Sequence, residues 1–375
     1  MRACTCEFRD VVDLPPSAAE QKSFTSLLEL AFGGVYALVI DARSHREYVD
    51  DHVPGAVNLP VVDDDEYAEV GTLHRADAHR AYLIGVSYAM RNISQAIDTL
   101  VSRYPKDARM LVYCFRGGKR SKLWFDALST IGYRVDRLPG GWKAYRSSVR
   151  NELSELPAKF RYHTLCGPTG CGKTRLLAAL SEAGAQVLDL EALARHRGSL
   201  LGDIPGVAQP TQKWFDSLLA EKLRGFDSSR PVWIEAESNK IGAVELPGGL
   251  LKAMRCARLF DVSAPMEERV QLWRDDYGHF ERDPDAMLER LRQLRPLVGG
   301  VEFSVWHELA QERRMPEMFQ RLMEAHYDPS YARSLAKHYV TLDRAAAVSL
   351  DRLDRHSLLA RAAQLRSDES IHRIW

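Results

Sequence analysis

The chain has 375 residues, of which 45% are hydrophobic and 27% charged, and its formal net charge at pH 7 is zero. The composition is typical of a folded soluble protein, and the length predicts two domains plus an appendage rather than one core. The sequence lacks the order of a signal peptide and any apolar run near the ~20 residues of a membrane helix, so we expect a cytoplasmic protein without a membrane span.

The six cysteines lie at positions 4, 6, 114, 166, 171 and 256. They do not show the paired CxxC spacing of a zinc site, and they are too sparse for a disulfide framework. We therefore expect free thiols, one of which can be reactive.

The first part of the chain alternates short apolar runs with a helical pattern. VYALVIDAR (35–43) and ARMLVYCF (108–115) are typical of buried strands, and SYAMRNISQAIDTLVSRY between them has a helical period. Alternation of this kind predicts a parallel sheet with helices on its faces. We place this domain at residues 1–150 and interpret the polar, proline-containing NELSELPAKF as a linker at 151–160.

A second alternating set follows the linker. Its strand candidates are FRYHTLCG, AQVLDL, RPVWIEAE and CARLFDVSA, and they predict a second α/β domain at 161–270. From about Met266 the sequence is helical in pattern and rich in arginine, so we expect a helical C-terminal region at 271–375. The predicted fold class is α/β, with two parallel-sheet domains and a helical extension.

The second domain opens with a P-loop. GPTGCGKT (167–174) fits GxxxxGK[ST] at every fixed position and lies between a strand candidate and the helical run RLLAALSEAG. Lys173 would reach the outer phosphate and the Thr174 hydroxyl could hold Mg²⁺. The motif predicts a diphosphate-bearing ligand, not necessarily ATP. The predicted diphosphate-binding residues are Gly167, Thr169, Gly170, Cys171, Gly172, Lys173 and Thr174.

Two further groups of polar residues are candidates for the same site. Glu235 and Glu237 end a strand candidate, where a P-loop protein commonly places a carboxylate on the water shell of the metal; two solvated strand-end acids are the alternative. His196, Arg197 and Ser199 follow another strand candidate and are either a phosphate clamp or solvated loop residues.

The first domain contains a cysteine at the head of a glycine-rich, cationic loop, CFRGGKRS (114–121). Glycines there can turn successive N–H groups inward, and cations around a thiol stabilise its thiolate. We predict that Cys114 is a nucleophile rather than a packing residue. The predicted anion-binding residues of its loop are Arg116, Gly117, Gly118, Lys119, Arg120 and Ser121.

The sequence around this loop resembles a rhodanese domain. VIDARSHREYVDDHVPGAVNLP is similar to the family's opening motif, with Asp41, Arg43, Glu47, His52 and the run 54–56 in the expected order, and GYRVDRLPGGWKAYR is similar to its closing motif. In that family the loop cysteine carries a persulfide. Here Arg120 follows Cys114 as C-x5-R, whereas single-domain rhodaneses have C-x4-R. The longer loop is that of dual-specificity phosphatases and has room for a tetrahedral phosphate-like group.

A rhodanese domain followed by a P-loop domain resembles the tRNA 2-selenouridine synthase family. The blocks LEALARHRGS, QPTQKWFD, IEAESNKIG and HYDPSY also occur here in that family's order. The resemblance implies S-geranylation of wobble 2-thiouridine by geranyl diphosphate, then replacement of sulfur by selenium from selenophosphate through a perselenide on Cys114. It also implies tRNAs for Lys, Glu and Gln as partners, and a selenophosphate-supplying enzyme. We assign geranylation to the P-loop domain.

The charge distribution fits an RNA partner. Residues 116–150 contain 9 basic and 2 acidic side chains, which is typical of a phosphate-binding patch, although a bland surface is the alternative. We also expect tRNA contacts from basic residues of the tail, which are Arg333, Lys337, Arg344, Arg352, Arg355, Arg361, Arg366 and Arg373. One tryptophan could also stack on a base, although core packing is the more common role of each; the three candidates are Trp124, Trp142 and Trp214.

Two other functions remain open from the residues. One is a regulatory module, in which the P-loop hydrolyses ATP and the first domain only binds a partner. The other is a phosphatase or a general sulfurtransferase, which the C-x5-R spacing motivates.

Overall fold

The computed structural model describes residues 23–339 and 341–368. The contacts divide the chain into two compact units: the first comprises residues up to His45 and Gly55–Ala144, and the second comprises Arg46–Pro54 and the chain from Tyr145 onward. The domain boundaries at 150, 160 and 270 stay predictions. Cys4, Cys6 and Arg373 lie outside the described residues.

The first unit is built on a parallel sheet of four strands. These are β1 (Leu38–Asp41), β2 (Val57–Asn58), β3 (Arg109–Tyr113) and β4 (Arg134–Arg137). The helices up to residue 155 are α1 (Phe24–Phe32), α2 (His45–Asp50), α3 (Asp64–Ala76), α4 (Ala78–Thr99), α5 (Lys119–Ile131) and α6 (Gly141–Glu155), with a 3₁₀ turn at Val101–Arg103. The strand order is β2-β1-β3-β4, so β3 is an inner strand.

The inner strands of this sheet are buried on both faces. Every residue of β1 is buried, and so is all of β3 after its first residue, because apolar side chains alternate toward helices on either side. Trp124 of α5 is fully buried in the same core and donates its indole N–H to the Leu59 carbonyl at 2.9 Å. The core therefore fixes the end of β3, where Cys114 begins the loop.

The second unit contains a parallel sheet of five strands and a short antiparallel pair. The sheet consists of β5 (Tyr162–Cys166), β6 (Gln186–Leu188), β7 (Val232–Glu235), β10 (Arg258–Ser263) and β11 (Ala346–Ser349), and the pair of β8 (Lys240–Ile241) and β9 (Val244–Glu245). The order of the sheet is β11-β10-β5-β7-β6. The central strand β5 leads into the P-loop, so the loop lies at the middle of the sheet's carboxyl edge.

Helices surround this sheet and continue along the C-terminal region. They are α7 (Lys173–Glu182), α8 (Leu190–Ala194), α9 (Gln212–Arg224), α10 (Gly248–Arg255), α11 (Met266–Arg282), α12 (Pro284–Leu291), α13 (Arg295–Val298), α14 (Gly300–Gln311), α15 (Met315–Leu322), α16 (Asp328–His338) and α17 (Arg355–Ser367). The shorter turns are Leu156–Lys159, Arg292–Leu294, Met323–Tyr327 and Leu342–Arg344. None of the helices in the described ranges has the length and apolar content of a membrane-spanning segment.

The predicted α/β class is confirmed, with two local differences. All four strand candidates of the second domain form strands, but β11 lies in the region predicted to be helical and pairs in parallel with β10. An alanine-rich sequence does not predict a strand, and β11 forms because it can pair with the free edge of β10. The predicted linker is helical: α6 runs to Glu155, and a 3₁₀ turn follows at Leu156–Lys159.

Candidate active sites

The Cys114 side chain is held by its own loop at the end of β3. The residue is only 3% exposed, and its Sγ accepts a hydrogen bond from the Gly118 N–H at 3.1 Å. The Ser121 hydroxyl lies 3.3 Å from the same sulfur and donates a hydrogen bond to the Gly118 carbonyl at 3.1 Å. The loop thus places one backbone donor and one hydroxyl against the sulfur, and the nucleophilic role of Cys114 stays a prediction.

A glycine turn of the closing motif supports the loop from the other side. A side chain at Gly141 would place its Cβ 2.0 Å from the Cys114 carbonyl oxygen, and Gly141 has φ of +56°. That carbonyl instead accepts the Trp142 N–H at 2.9 Å, and the Lys143 N–H bonds the Phe115 carbonyl at the same distance. Glycine is required at 141 because the two backbones touch.

The opening motif contributes a buried ion pair near this turn. Arg43 bonds Asp41 through Nε at 2.9 Å and through Nη2 at 2.6 Å, and both side chains are buried. The Arg43 guanidinium also lies 5.0 Å from the centre of the Trp142 ring. Asp41 and Arg43 therefore position the loop's neighbours and do not bind its ligand.

The cations of the loop lie on aromatic rings. The Arg116 guanidinium is 5.6 Å from the Phe115 ring, the Lys119 ammonium 4.0 Å from the Tyr82 ring, and the Arg120 guanidinium 5.6 Å from the Tyr67 ring. Cation–π contacts of this kind hold a charge in place without neutralising it. Three cations of the predicted anion-binding loop are thus held by aromatic rings, of which those of Tyr67 and Tyr82 lie outside the motif.

The P-loop has the backbone that its motif predicts. Gly167, Gly170 and Gly172 all have positive φ, and a Cβ at Gly167 would lie 2.1 Å from the Val262 carbonyl oxygen. Strands β5 and β10 approach so closely here that only glycine fits. Cys171 is fully buried in the core under the loop, and burial raises the pKa of its thiol, as expected for a packing residue without a redox role.

Lys173 is folded back onto the loop. Its ammonium donates to the Gly167 carbonyl at 2.9 Å and to the Pro168 carbonyl at 3.2 Å, and it lies 5.3 Å from the Tyr331 ring. Burial alone would lower its pKa, but Cys171, Tyr331 and Glu235 raise the pKa above the ordinary value. Lys173 is therefore charged and can exchange carbonyl partners for phosphate oxygens.

Residues of the HYDPSY block tie the C-terminal region to the P-loop. The Gly167 N–H donates to the Tyr331 hydroxyl oxygen at 3.0 Å. Arg269 of α11 donates to the Thr169 carbonyl at 2.7 and 3.0 Å and binds both carboxylate oxygens of Asp328. The sequence identifies the HYDPSY block but does not predict its role. It does not predict a role for Arg269 either, because that residue has the setting of an ordinary arginine in an amphipathic helix.

A cavity of about 650 Å³ opens above the P-loop. Polar residues line one part of it, and the walls also include apolar and aromatic side chains from α11 and α16 and the residues that flank them. The polar group includes Thr169, Lys173, Thr174, Asp189, Glu191, Arg197, Ser199, Glu235 and Glu237; the other group includes Leu272, Trp273, Tyr277, Tyr327, Tyr331, Leu335 and Tyr339. Such a cavity can accept a ligand with a charged end and an apolar body.

Three glutamates line this cavity: Glu235 is buried, and Glu191 and Glu237 are half-buried. Burial raises the pKa of Glu237 to about 8 and that of Glu191 to about 10, and the charge of Glu235 adds to both shifts. Burial also raises the pKa of Glu235, whose Oε1 has no hydrogen-bond partner. Glu191 lies nearest Thr174, with 3.4 Å between Oε2 and the hydroxyl. The group therefore retains protons in the absence of a ligand.

These residues fit a Mg²⁺ ion only in part. In the described ranges no three histidine, cysteine or acidic side chains are grouped to hold a metal directly. The unpartnered Oε1 of Glu235 and the Thr174 hydroxyl are oxygen donors, which suit Mg²⁺ when phosphates and water complete its shell. Thr174 with Glu235 is therefore where such an ion would be held.

Of the three residues predicted as a phosphate clamp, two line the cavity and one does not. Arg197 and Ser199 line the cavity; Arg197 Nη1 is buried without a hydrogen-bond partner, and the Ser199 hydroxyl lies 3.3 Å from that of Tyr277. His196 is not part of the lining. Its Nε2 lies 3.3 Å from Asp203, and burial lowers its pKa, so it supports the loop instead.

The QPTQKWFD block is structural. The Gln209 amide donates to the Ala194 and Ile241 carbonyls at 3.0 and 3.1 Å, and its oxygen accepts the Ala243 N–H. The Thr211 hydroxyl caps α9 by accepting the Trp214 N–H at 3.1 Å. The block therefore fastens the loop that carries Arg197 and Ser199.

Comparison with known proteins agrees with the two domains that carry these sites. A model described as "Rhodanese-like domain" matches residues 23–148, and one described as "tRNA 2-selenouridine synthase AAA domain" matches residues 160–291. A tRNA 2-selenouridine synthase from Nitrosomonas europaea is 35% identical over 70% of this chain and 69% of its own length. Relatives of the same name from Hahella chejuensis and Bdellovibrio bacteriovorus are 33% and 34% identical, covering 80% and 81% of this chain and 86% and 90% of their own lengths.

The chain belongs to the tRNA 2-selenouridine synthase family.

The three tryptophans that the sequence suggests for base stacking pack against other side chains. Trp124 is fully buried, and Trp142 is stacked on Phe115 at 5.4 Å between ring centres. Trp214 stacks on His52 at 3.9 Å, and His52 stacks in turn on Tyr48 at 3.7 Å. All three therefore pack in a core or against a loop, which is the more common role of a tryptophan.

The basic residues proposed for RNA contact differ in solvent exposure and in ion pairing. Arg146 forms an ion pair with Asp216 and is 11% exposed, so it is not a surface cation. Arg352 and Arg355 pair with Asp354 and Glu182 at the surface. Lys119, Arg134, Arg137, Lys143 and Arg150 are exposed. Exposed cations are therefore present both in residues 116–150 and in the tail, where Arg333, Lys337 and Arg366 are exposed.

Proposed function

We propose that this chain is an enzyme that converts wobble 2-thiouridine in tRNA to 2-selenouridine, by S-geranylation at the P-loop cavity and selenium transfer at Cys114. The observation that supports it most is the cavity itself, in which Lys173 and Thr174 adjoin a wall that includes Leu272, Trp273 and Leu335. A diphosphate with an apolar chain fits that combination. Family membership supports tRNA as the substrate; the tRNAs for Lys, Glu and Gln are part of the proposal.

In the first step the 2-thio sulfur attacks C1 of geranyl diphosphate. The C1–O bond breaks, and pyrophosphate leaves with the bonding electron pair. The negative charge that develops on the leaving group lies where the P-loop N–H groups and Lys173 can stabilise it. A Mg²⁺ ion, when bound at Thr174 with the phosphates, would neutralise further charge. The base then releases its N3 proton and remains S-geranylated.

In the second step selenium replaces the S-geranyl group. Selenium in selenophosphate is at the oxidation level of selenide, so it can itself attack C2 of the base; the C–S bond breaks, and geranylthiolate leaves and takes up a proton. A perselenide on Cys114, as the rhodanese resemblance implies, would instead release phosphite and need a second reductant. We therefore propose that the Cys114 thiolate attacks phosphorus, so that the P–Se bond breaks and 2-selenouridine is released.

The Cys114 loop suits this phosphoryl transfer. Its C-x5-R spacing leaves room for a tetrahedral group, and the Gly118 N–H, which donates to the Cys114 sulfur, would stabilise a thiolate before attack. Water then hydrolyses the phosphocysteine to phosphate and regenerates the thiol. Selenophosphate itself would come from a separate enzyme.

The proposal is tested by mass spectrometry of nucleosides after incubation of the protein with 2-thiouridine tRNA, geranyl diphosphate and Mg²⁺. We expect S-geranyl-2-thiouridine without selenophosphate and 2-selenouridine with it. Hydrolysis of an aryl phosphate, or thiocyanate formation from thiosulfate and cyanide, in the absence of any modified nucleoside would instead make the protein a phosphatase or a sulfurtransferase.

A further inference from the structure

An exposed aromatic and apolar surface lies on helices α3 and α4 of the first unit. Tyr82, Leu83, Val86 and Met90 are 48%, 61%, 46% and 52% exposed and occupy one face of α4, at helical spacing. Tyr67 of α3, which packs against α4, is 49% exposed. We call these five residues the α3–α4 surface. Contiguous apolar residues at a protein surface commonly mark an interaction site.

This surface adjoins the reactive loop. The Lys119 ammonium lies 4.0 Å from the centre of the Tyr82 ring, and the Arg120 guanidinium 5.6 Å from that of Tyr67. Both cations belong to the first turn of α5, whose preceding residue Gly118 donates its N–H to Cys114 Sγ. Two aromatic rings and two cations therefore lie beside the loop that holds the thiol.

The combination favours an unstacked RNA strand as the occupant. Single-stranded bases stack on exposed aromatic rings, and their phosphates are attracted by adjacent lysine and arginine. Lys119 and Arg120 are the cations that meet these two rings, and phosphates are complementary to them. Asp64, Asp65 and Glu69 of α3 are exposed on either side of Tyr67 in the sequence, so we place the phosphates of the strand on the α5 side of the rings.

We propose that the α3–α4 surface binds the unpaired strand that carries the reacting uridine, with bases on Tyr67 and Tyr82 and phosphates on Lys119 and Arg120. The inference rests on the proposed function in taking tRNA as the substrate. It adds Tyr67 and Tyr82, which no motif contains, to the loop cations Lys119 and Arg120. Leu83, Val86 and Met90 then cover the apolar faces of the bases that flank the uridine.

The test is binding of a fluorescent anticodon stem-loop RNA to the full chain, measured by anisotropy beside a blunt duplex of the same stem. We expect the double variant Tyr67→Ala, Tyr82→Ala to lose roughly 10-fold to 100-fold in affinity for the stem-loop and little for the duplex, since stacking on each ring strengthens binding of an unpaired base. Tyr67→Phe with Tyr82→Phe retains both rings and should bind like the unmodified chain. Lys119→Ala should reduce the salt dependence by about one phosphate contact.

The controls separate this inference from the proposed function. Leu297→Ala with Val301→Ala removes side chains that are 72% and 85% exposed in the other unit, and should leave RNA binding unchanged. Equal affinity of the double alanine variant and the unmodified chain, with melting temperatures preserved, would overturn the inference. So would a change of oligomeric state in light scattering without loss of RNA affinity. Binding assays need no chemistry, so a chain that binds the loop through its tyrosines but forms no selenouridine would contradict only the proposed function.

Discussion

Arg269 binds both carboxylate oxygens of Asp328, at 2.7 and 3.0 Å, while it donates two hydrogen bonds to the carbonyl of Thr169 in the P-loop. The arginine is only 5% exposed. Because one guanidinium joins α11, the start of α16 and the phosphate-binding loop, the C-terminal helices determine how the loop is held. A P-loop alone would not fix these positions.

Replacement of Asp328 by Asn should therefore weaken both the fold and diphosphate binding. The buried Arg269 charge would lose its counter-charge, so we expect the free energy of unfolding to fall by about 2 kcal/mol and the KM for geranyl diphosphate to rise. Urea unfolding and steady-state kinetics measure the two effects. Arg314→Gln breaks an ion pair whose arginine is 51% exposed and should cost at most about 1 kcal/mol. Similar losses in both variants would contradict the role of Arg269 and Asp328.

Replacement of Lys173 by Ala should abolish S-geranylation. The ammonium is the cation that can leave two loop carbonyls for the leaving pyrophosphate, and we expect the rate to fall by about 10²–10³. The yield of S-geranyl-2-thiouridine from 2-thiouridine tRNA is the measurement. Lys222→Ala, an exposed lysine of α9, is the matched control. Unchanged geranylation in Lys173→Ala would move that step away from the P-loop.

Replacement of Cys114 by Ala should block selenium incorporation and leave geranylation intact. The thiol is the group that would receive the phosphoryl group, so S-geranyl nucleoside should accumulate even when selenophosphate is present. Cys256→Ala removes an exposed thiol and should change neither product. Mass spectrometry of protein quenched during turnover distinguishes phosphocysteine from a perselenide at position 114. Equal loss of both nucleoside products in Cys114→Ala would show that the residue acts elsewhere.

Burial lowers the pKa of His196, His279 and His326, so below the ordinary histidine pKa of ~6.5 these three residues bind more protons in the unfolded chain than in the folded one. By proton linkage, their contribution to the free energy of unfolding should increase as the pH rises toward that value. The raised pKa values of Glu191 and Glu237 act in the opposite direction above the ordinary glutamate pKa, so the histidine contribution is read from the difference between variants. His196→Gln should flatten the profile, while His356→Gln, at an exposed position, should not. An unchanged slope in His196→Gln would contradict the lowered pKa.

The sequence by itself determined the two sheets and the P-loop, and it predicts a nucleophile at Cys114. Apolar runs that end in glycine-rich loops have few alternatives, since Gly141 and Gly167 lie where a Cβ would strike a backbone oxygen. Their motifs are local in sequence, so the chemistry of Lys173 and Cys114 could be predicted from neighbouring residues alone. The strand β11 could not, because its partner β10 lies more than 80 residues away in sequence.

Only the tertiary structure decided which distant side chains serve those motifs. Arg269, Asp328 and Tyr331 reach the P-loop from segments about 100 or more residues further along the chain, and nothing in their own surroundings marks that contact. Packing likewise turned His196 toward Asp203 and placed Tyr67 and Tyr82 beneath the loop cations. A motif specifies backbone geometry over a few residues, whereas burial and charge pairing are settled by whichever elements the fold brings into contact.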